Sequence, residues 1–473
     1  MSLIEHFRLG NAVNSSSSHS VILVRPELGD IDAYQDYGWN KFLCASKDAK
    51  RHYLASNLYC SIKGSLGKEV ALRVVESMFG VVSPTDVDHQ SVTGIPYLQK
   101  DPDHLAVEFY NDISQYMIHH PLIAFEGGND NGDDEIIYGK DANFPVFGDF
   151  LGGFSVRRER PFQYTLFSPA TGNKIRVNLS SLDSLETPFV PNSPELVDIN
   201  ITDYCAKGCP ICYRDCTPSG EHADYEIIDN ILKACRNLNV FEVVLGGGEP
   251  TSHPSFPKVL NNAKNYGIIP NFTTADMKWL DDNAIVGAVA NSGGSFGISV
   301  SSVEEVKSWS SKIKELSNLK LKCVYQIIAN GIPEQDFLDI VKYCTAHYLR
   351  ISIVGFKSCG RASTPLYQYT KHFTEDLLDI MQKHSSFSYN SHLFGRNFYF
   401  LADVAFLQQY PQFQQELTAD VEEGIQSIYI DAVSSTVNVS SYSSNPPVSF
   451  LGVRNFFTIS SIVENFFVDC SSK

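Results

Sequence analysis

Leu196-Val-Asp-Ile-Asn-Ile201 runs directly into Thr202-Asp-Tyr-Cys205-Ala-Lys-Gly-Cys209-Pro-Ile-Cys212-Tyr-Arg-Asp-Cys216. The first six residues read as a short strand, and the cysteines follow on the loop after it, where turns can point thiolates inward. Thiolates are the usual ligands of iron–sulfur clusters, and a [4Fe–4S] cluster needs four ligands in all. Three cysteines in Cys-x3-Cys-x2-Cys spacing would leave one iron open to an outside chelator. With Cys216 as a fourth ligand, the same stretch would make a small zinc knuckle or a closed cluster that only carries electrons. On spacing alone these readings all stand.

The rhythm downstream gives the architecture. Strand-like runs begin near Leu196, Val240, Ile268, Phe296, Leu321 and Leu349, each followed by a polar–apolar helical segment. After a longer first unit the repeat is about 25–30 residues, the size of one βα unit. Six such units predict an α/β core, a parallel sheet wrapped by helices, too small for the closed eight-stranded barrel. The expected fold is therefore an open, TIM-like partial (β/α)6 barrel over residues 191–370. A helix at Phe373–His384, an aromatic stretch at Phe394–Phe406 and a strand-like Gln426-Ser-Ile-Tyr-Ile-Asp431 then read as a C-terminal extension, 371–473, covering the barrel.

Upstream, Asn14-Ser-Ser-Ser-Ser-His-Ser20 closes a flexible N-terminus, 1–20. Residues 21–190 read as a mixed α+β domain. Ser20–Val24 is strand-like, and Lys68–Phe79 carries Val70, Leu72, Val75 and Phe79 at helical spacing. His104–His119 reads as a further helix, and Gly148–Asn178 as one or two hairpins. Pro188, Pro191 and Pro194 mark a linker. The acidic loop Glu126–Glu135 fails as a calcium-binding EF-hand, because alignment on Gly132 puts Gly127 and Tyr138 at its first and last ligand positions.

The 473 residues, 43% apolar and 19% charged, supply ample core for roughly three domains. A balance of 37 basic against 54 acidic residues gives a net charge of −17. That argues against a protein whose main business is gripping nucleic-acid phosphates. The apolar runs fall short of the ~18–20 residues of a membrane helix, and the N-terminus lacks the pattern of a secretory signal. Eleven cysteines, four of them within residues 205–216, suit a metal site better than a secreted disulfide framework. The expected location is the cytoplasm.

The second strand, Phe241-Glu-Val-Val-Leu245, ends in Gly246-Gly-Gly-Glu249-Pro250. Glycines let backbone approach a ligand closely, and a carboxylate suits a bound ammonium. Together with the cysteine loop, this turn resembles the radical SAM superfamily over about residues 195–360. The resemblance implies an oxygen-sensitive enzyme with a [4Fe–4S] cluster on Cys205, Cys209 and Cys212. Its open iron would be chelated by the amino and carboxylate groups of S-adenosylmethionine (SAM), which Gly247, Gly248 and Glu249 would position. It also implies an external one-electron reductant such as a flavodoxin or ferredoxin, cleavage of SAM to a 5′-deoxyadenosyl radical, and hydrogen abstraction from a substrate. Ser299 and Ser301 on the fourth strand match the family's ribose contacts, and Ile351–Arg361 its adenine-side strand. Gln326 or Asn330 on the fifth would reach the pocket.

Two departures stand out. The residue before the last cluster cysteine is usually aromatic, and here Ile211 occupies it with Tyr213 following. Only Cys470 lies beyond Cys359, so the auxiliary-cluster domain of many peptide-modifying members is not expected, nor is a cobalamin domain. Cys216 and Cys359 are candidate hydrogen-atom donors to a substrate radical, by analogy with epimerising members. Lys357 and Arg361, just past the sixth strand, read as a solvated face, or alternatively as holders of a carboxylate or phosphate at the mouth. Asp203, Tyr204, Asp403 and Asp431 read as packing or capping groups. The substrate stays open between a small molecule and a peptide or protein side chain. The rival of a different class is a non-catalytic zinc or iron–sulfur protein with Cys205, Cys209, Cys212 and Cys216 as a closed site.

Overall fold

A computed structural model describes residues 4–8, 18–19, 32–33, 42–44, 46–80, 82–86, 114–115, 118–119, 125–127, 155–160, 163–169, 172, 174–178, 189, 191–319, 321–347, 349–385, 400–413, 418–419 and 423–471. The chain divides into two compact units. The first takes Met1–Glu5, Val21–Ser168 and Ile175–Phe189, and the second His6–Ser20, Pro169–Lys174 and Val190–Lys473.

In the first unit, helices Lys47–Leu66 and Lys68–Phe79 are separated by Gly67 at φ 80°. Ser46 caps the former by accepting from the Ala49 N–H. The latter buries Ala71, Val75 and Phe79 on one face. Strands Ser155–Arg160 and Gln163–Phe167 pair antiparallel, a hairpin within the expected 148–178. Residues 20–24, the acidic loop from 128 onward and most of 104–119 lie outside the described residues.

The second unit is built on one sheet. Its strands are β1 (Leu196–Thr202), β2 (Glu242–Gly247), β3 (Ile269–Thr274), β4 (Phe296–Ser299), β5 (Cys323–Ile328), β6 (Ile351–Val354), β7 (Phe400–Ala402), β8 (Ser427–Asp431), β9 (Thr436–Asn438) and β10 (Val448–Ser449). The order across the sheet is β7-β6-β5-β4-β3-β2-β1-β8-β9-β10. The strands from β7 to β8 all run parallel, and β9 and β10 turn back antiparallel. The six expected strands are present with their helices α1 (Tyr225–Asn237), α2 (Phe256–Asn265), α3 (Asn283–Ser292), α4 (Val303–Glu315), α5 (Glu334–Ala346) and α6 (Phe373–Ser385).

The C-terminal residues differ from expectation. They do not simply cover the barrel; β7 and β8 extend its sheet at both edges, so eight parallel strands stand where six were expected. The reason is length: β7 has three residues, too few to show an alternation. Helices α7 (Val404–Gln409) and α8 (Phe456–Ser471) follow β7 and β10.

Period-two alternation sorts the first strand. Val197, Ile199 and Ile201 are fully buried in the apolar layer against the helices, where Ile228, Ile231 and Leu232 of α1 meet them. Asp198 and Asn200 therefore take the opposite face. Phe272 of β3 sits among the rings of Phe256, Trp279 and Phe296, at centroid distances of 5.1–5.6 Å. This apolar layer makes the sheet a rigid platform for the loops at its C-terminal ends.

Candidate functional site

Those strand ends open into a cavity of about 750 Å³. Cys205, Cys209, Cys212 and Cys216 line it, with Gly246, Gly247, Gly248 and Glu249 across from them on β2. Ser299, Ser301 and Gln326 join the lining from β4 and β5, and Lys357 follows β6. Cys359 and Asn330 are not among the lining residues. The Asn330 amide oxygen accepts from the Tyr410 hydroxyl at 2.5 Å, and the Cys359 N–H bonds the Lys357 carbonyl at 2.9 Å.

The cysteine loop is held by its own turns. Gly208 sits at φ 61°, and Cys212 and Asp215 donate backbone N–H groups to the Cys209 and Cys212 carbonyls, both at 3.2 Å. The Cys205 N–H bonds the Thr217 carbonyl at 2.9 Å. All four thiols are free. The buried Cys216 thiol donates to the Arg214 carbonyl at 4.0 Å, and its interaction with the neighbouring Cys212 thiol holds Cys212 below the usual thiol range and pushes Cys216 above it. Among the described residues no three such side chains converge tightly enough to hold a metal ion as they stand. Still, three free thiols on one short loop facing one cavity are the donor set an iron–sulfur cluster takes, and the cavity has room for a second ligand beside it. The residues fit the group.

The β2 turn is fitted to the cysteine loop by backbone. Gly248 donates to the Thr202 carbonyl at 2.6 Å and Glu249 to the Tyr204 carbonyl at 2.8 Å. A Cβ on Gly248 would stand 2.0 Å from the Tyr204 oxygen, so only glycine permits this approach.

Glu249 is nearly fully buried, with its carboxylate already engaged. Oε1 accepts from the Thr251 and Thr274 hydroxyls at 2.7 and 2.8 Å, and Oε2 from the Ala275 N–H at 3.0 Å. Burial pushes its pKa up, and those donors oppose the rise. In this structure Glu249 braces β2 against the end of β3. Ser301 is likewise tied: its N–H and hydroxyl donate to Glu305 Oε2, at 2.6 and 3.0 Å, at the start of α4. Ser299 carries no such tie among the described residues and lines the cavity at the tip of β4.

The structure gives Arg361 a different task from the expected anion site. Its Nε donates to the Cys209 carbonyl at 3.3 Å and Nη2 to the Cys216 carbonyl at 2.7 Å, while Nη1 pairs with Asp215 at 2.8 Å. Its own N–H bonds the Cys212 carbonyl at 3.0 Å. The guanidinium therefore spans the cysteine loop and is not turned to the pocket. Arg214 fixes the loop's other side, donating to Asp203 and Asp431 at 3.0 Å each and to the Tyr429 hydroxyl. Burial alone would raise Asp431, but the Ser434 N–H and the Arg214 guanidinium hold it below the usual carboxylate range.

Asp203 thus supports the loop, Tyr204 offers its carbonyl to Glu249, and Asp403 caps α7 while accepting the Gly355 N–H at 2.8 Å. Ile211 and Tyr213 both line the cavity. Sequence reasoning did not single out Asp198, Arg214 or Tyr429. For Asp198 a signal existed: it is the one acid of the strand, on the face opposite Val197, Ile199 and Ile201.

Three comparisons bear on this arrangement. Residues 199–358 match the model of the radical SAM superfamily. Comparison of the sequence with curated proteins gives no match. Among solved structures, SuiB of Streptococcus suis is similar at 12% identity over 68% of this chain and 90% of its own, with a TM-score of 0.49. Its complex with the precursor peptide SuiA matches at 13% over 60% and 68%, with a TM-score of 0.46. The enzyme anSMEcpe with bound AdoMet matches at 12% over 58% and 82%, with a TM-score of 0.38. No helix among the described residues is long and apolar enough to cross a membrane. The family match spans both the cysteine loop and the Gly-Gly-Glu turn, and over residues 199–358 the chain contains a radical SAM superfamily domain.

Proposed function

We propose that the chain is a radical SAM enzyme in which Cys205, Cys209 and Cys212 hold a [4Fe–4S] cluster and the Gly247–Glu249 turn positions SAM. One observation carries the reading: the three thiols and the glycine turn, from two neighbouring strands, face a single cavity. When bound and reduced by an external donor such as a flavodoxin or ferredoxin, the cluster and SAM would supply a 5′-deoxyadenosyl radical for hydrogen abstraction from a small-molecule or peptide substrate.

The chain's own residues have the remaining tasks. Gly247 and Gly248 bring main chain close to SAM, and Glu249, locked by Thr274 and Ala275, keeps that turn rigid. Ser299, which lines the cavity, would contact a ribose hydroxyl. Val244, Ile328 and Val354 line the cavity with apolar surface that excludes water.

Cys216 lines the same cavity as Cys205, Cys209 and Cys212, which favours one second reading, a closed four-cysteine site without SAM chemistry. The two part in one experiment, run anaerobically on protein reconstituted with iron and sulfide and then given dithionite and SAM. 5′-Deoxyadenosine should form with wild type and with Cys216→Ala, and should vanish with Cys209→Ala. A closed site would show no SAM binding in any of the three, and Cys216→Ala would then lose metal.

A further inference from the structure

Asp198 lines the cavity from the face of β1 opposite the helices. It sits on β1 between Val244 of β2 and Tyr429 of β8 in register, and all three line the cavity. Four carboxylates line that space: Asp198, Glu249, Glu305 and Asp336. Glu249 and Glu305 are tied to Thr274, Ala275 and Ser301, and Asp336 is exposed in the first turn of α5. The Asp198 side chain, partly buried, makes no hydrogen bond and no ion pair among the described residues.

The nearest cations are already committed. Arg214 is paired with Asp203 and Asp431. Lys357 stands over the rings of Tyr213 and Tyr442, at 5.1 and 4.4 Å, and Asp403 and Glu423 also offset its charge. Lys357 and Asp198 feel each other's field without reaching ion-pair distance.

A carboxylate withdrawn from water without a partner is unfavourable, and a cation entering from the cavity would offset that cost. Burial pushes Asp198 up to about 6, opposed by Lys357 and Arg214 and assisted by Glu423. Above it stands Gly246, whose missing Cβ would lie 3.6 Å from Oδ1, so the approach from the cavity is open. The surrounding Val244, Ile328 and Val354 suit an aliphatic stem.

We infer that the substrate of this cavity carries a protonated amine, and that Asp198 is the counter-ion that receives it. The inference rests on the radical SAM reading for the word substrate, but the binding itself does not depend on SAM. It names a chemical class, an amine or amino acid on an aliphatic stem, as the group to be placed near the radical.

The test is a titration of the whole reconstituted protein with n-butylammonium, butyrate and 1-butanol at pH 8, followed by ligand-observed NMR, with and without SAM. Butylammonium should bind in roughly the millimolar range, at least tenfold tighter than the other two. Asp198→Asn should abolish that preference while binding SAM as wild type does. The variant should also melt no lower than wild type at pH 8, because it removes an ionised group that burial disfavours; a merely structural aspartate would instead lower the melting point. Equal butylammonium binding in Asp198→Asn, a wild-type preference for butyrate, or loss of SAM in its place overturns the proposal. Failure of the radical SAM reading shows separately, as no 5′-deoxyadenosine from wild type, and leaves the SAM-free titration readable.

Discussion

Gly247→Ala should destabilise the second unit by about 3 kcal/mol or more and should abolish 5′-deoxyadenosine formation. Two independent penalties meet at this residue. Its φ of 120° is one that side-chain-bearing residues rarely adopt, which costs on the order of 1–3 kcal/mol. A Cβ would also stand 1.9 Å from Asn200 Oδ1 and 2.1 Å from the Thr202 carbonyl. Neither neighbour is free to move: Asn200 accepts the Thr202 N–H and donates to Asp203, and the Thr202 carbonyl receives the Gly248 N–H. Gly267→Ala is the control. Its φ of 79° is comparably unfavourable, but nothing lies within 4 Å of the added carbon, so it should lose about 1–2 kcal/mol and keep activity. Denaturant melts of the two variants separate backbone strain from overlap. Equal losses would show that the β2 turn yields, and that the close approach to β1 is not required.

Arg361→Ala should leave the fold nearly intact and still lower 5′-deoxyadenosine formation by one to two orders of magnitude. The side chain is about one-third exposed, so its bond to Asp215 contributes little to global stability. What it does locally is gather the Cys209 and Cys216 carbonyls under one planar fork. Without it, the loop should sample conformations in which the three thiols no longer face one cavity. Iron content after reconstitution and the electron paramagnetic resonance signal of the reduced protein should therefore fall along with activity. Arg361→Lys should recover only part, since one ammonium cannot span two carbonyls and a carboxylate. Wild-type iron content and spectrum in Arg361→Ala would show that the loop holds itself. The residue is a positioning group, and a purely electrostatic effect on activity would leave iron content unchanged.

The parts of this molecule that could be read from the chain are those whose chemistry is local. Cys205, Cys209 and Cys212 lie within one loop, Gly246–Glu249 within one turn, and each of the six strands within one βα repeat. The same locality explains what was hidden. Arg361 shows its charge in the sequence but not its acceptors, which lie 152 and 145 positions away at Cys209 and Cys216. Ser301 and Glu249 carry the polar atoms expected of ligand contacts, and only the fold reveals Glu305, Thr274 and Ala275 beside them. Asp198 is legible as an inward-facing acid, yet its lack of a partner is a property of four other strands and loops. β7, three residues long, has no pattern to read.

The seating of β8 beside β1 also has a temporal meaning. Arg214 on the cysteine loop and Asp431 at the end of β8 are 217 positions apart, so the loop emerges from the ribosome long before its outer anchor. At about 5–20 residues per second this interval lasts on the order of tens of seconds, and pairing across so long a separation is slow in its own right. Through that window the thiols of Cys205, Cys209 and Cys212 hang on a nascent half-sheet, open to oxygen and to any thiophilic metal. For the proposed cluster, this makes the moment of its delivery during synthesis, and not the finished protein's affinity alone, a factor in how much of the chain would mature correctly.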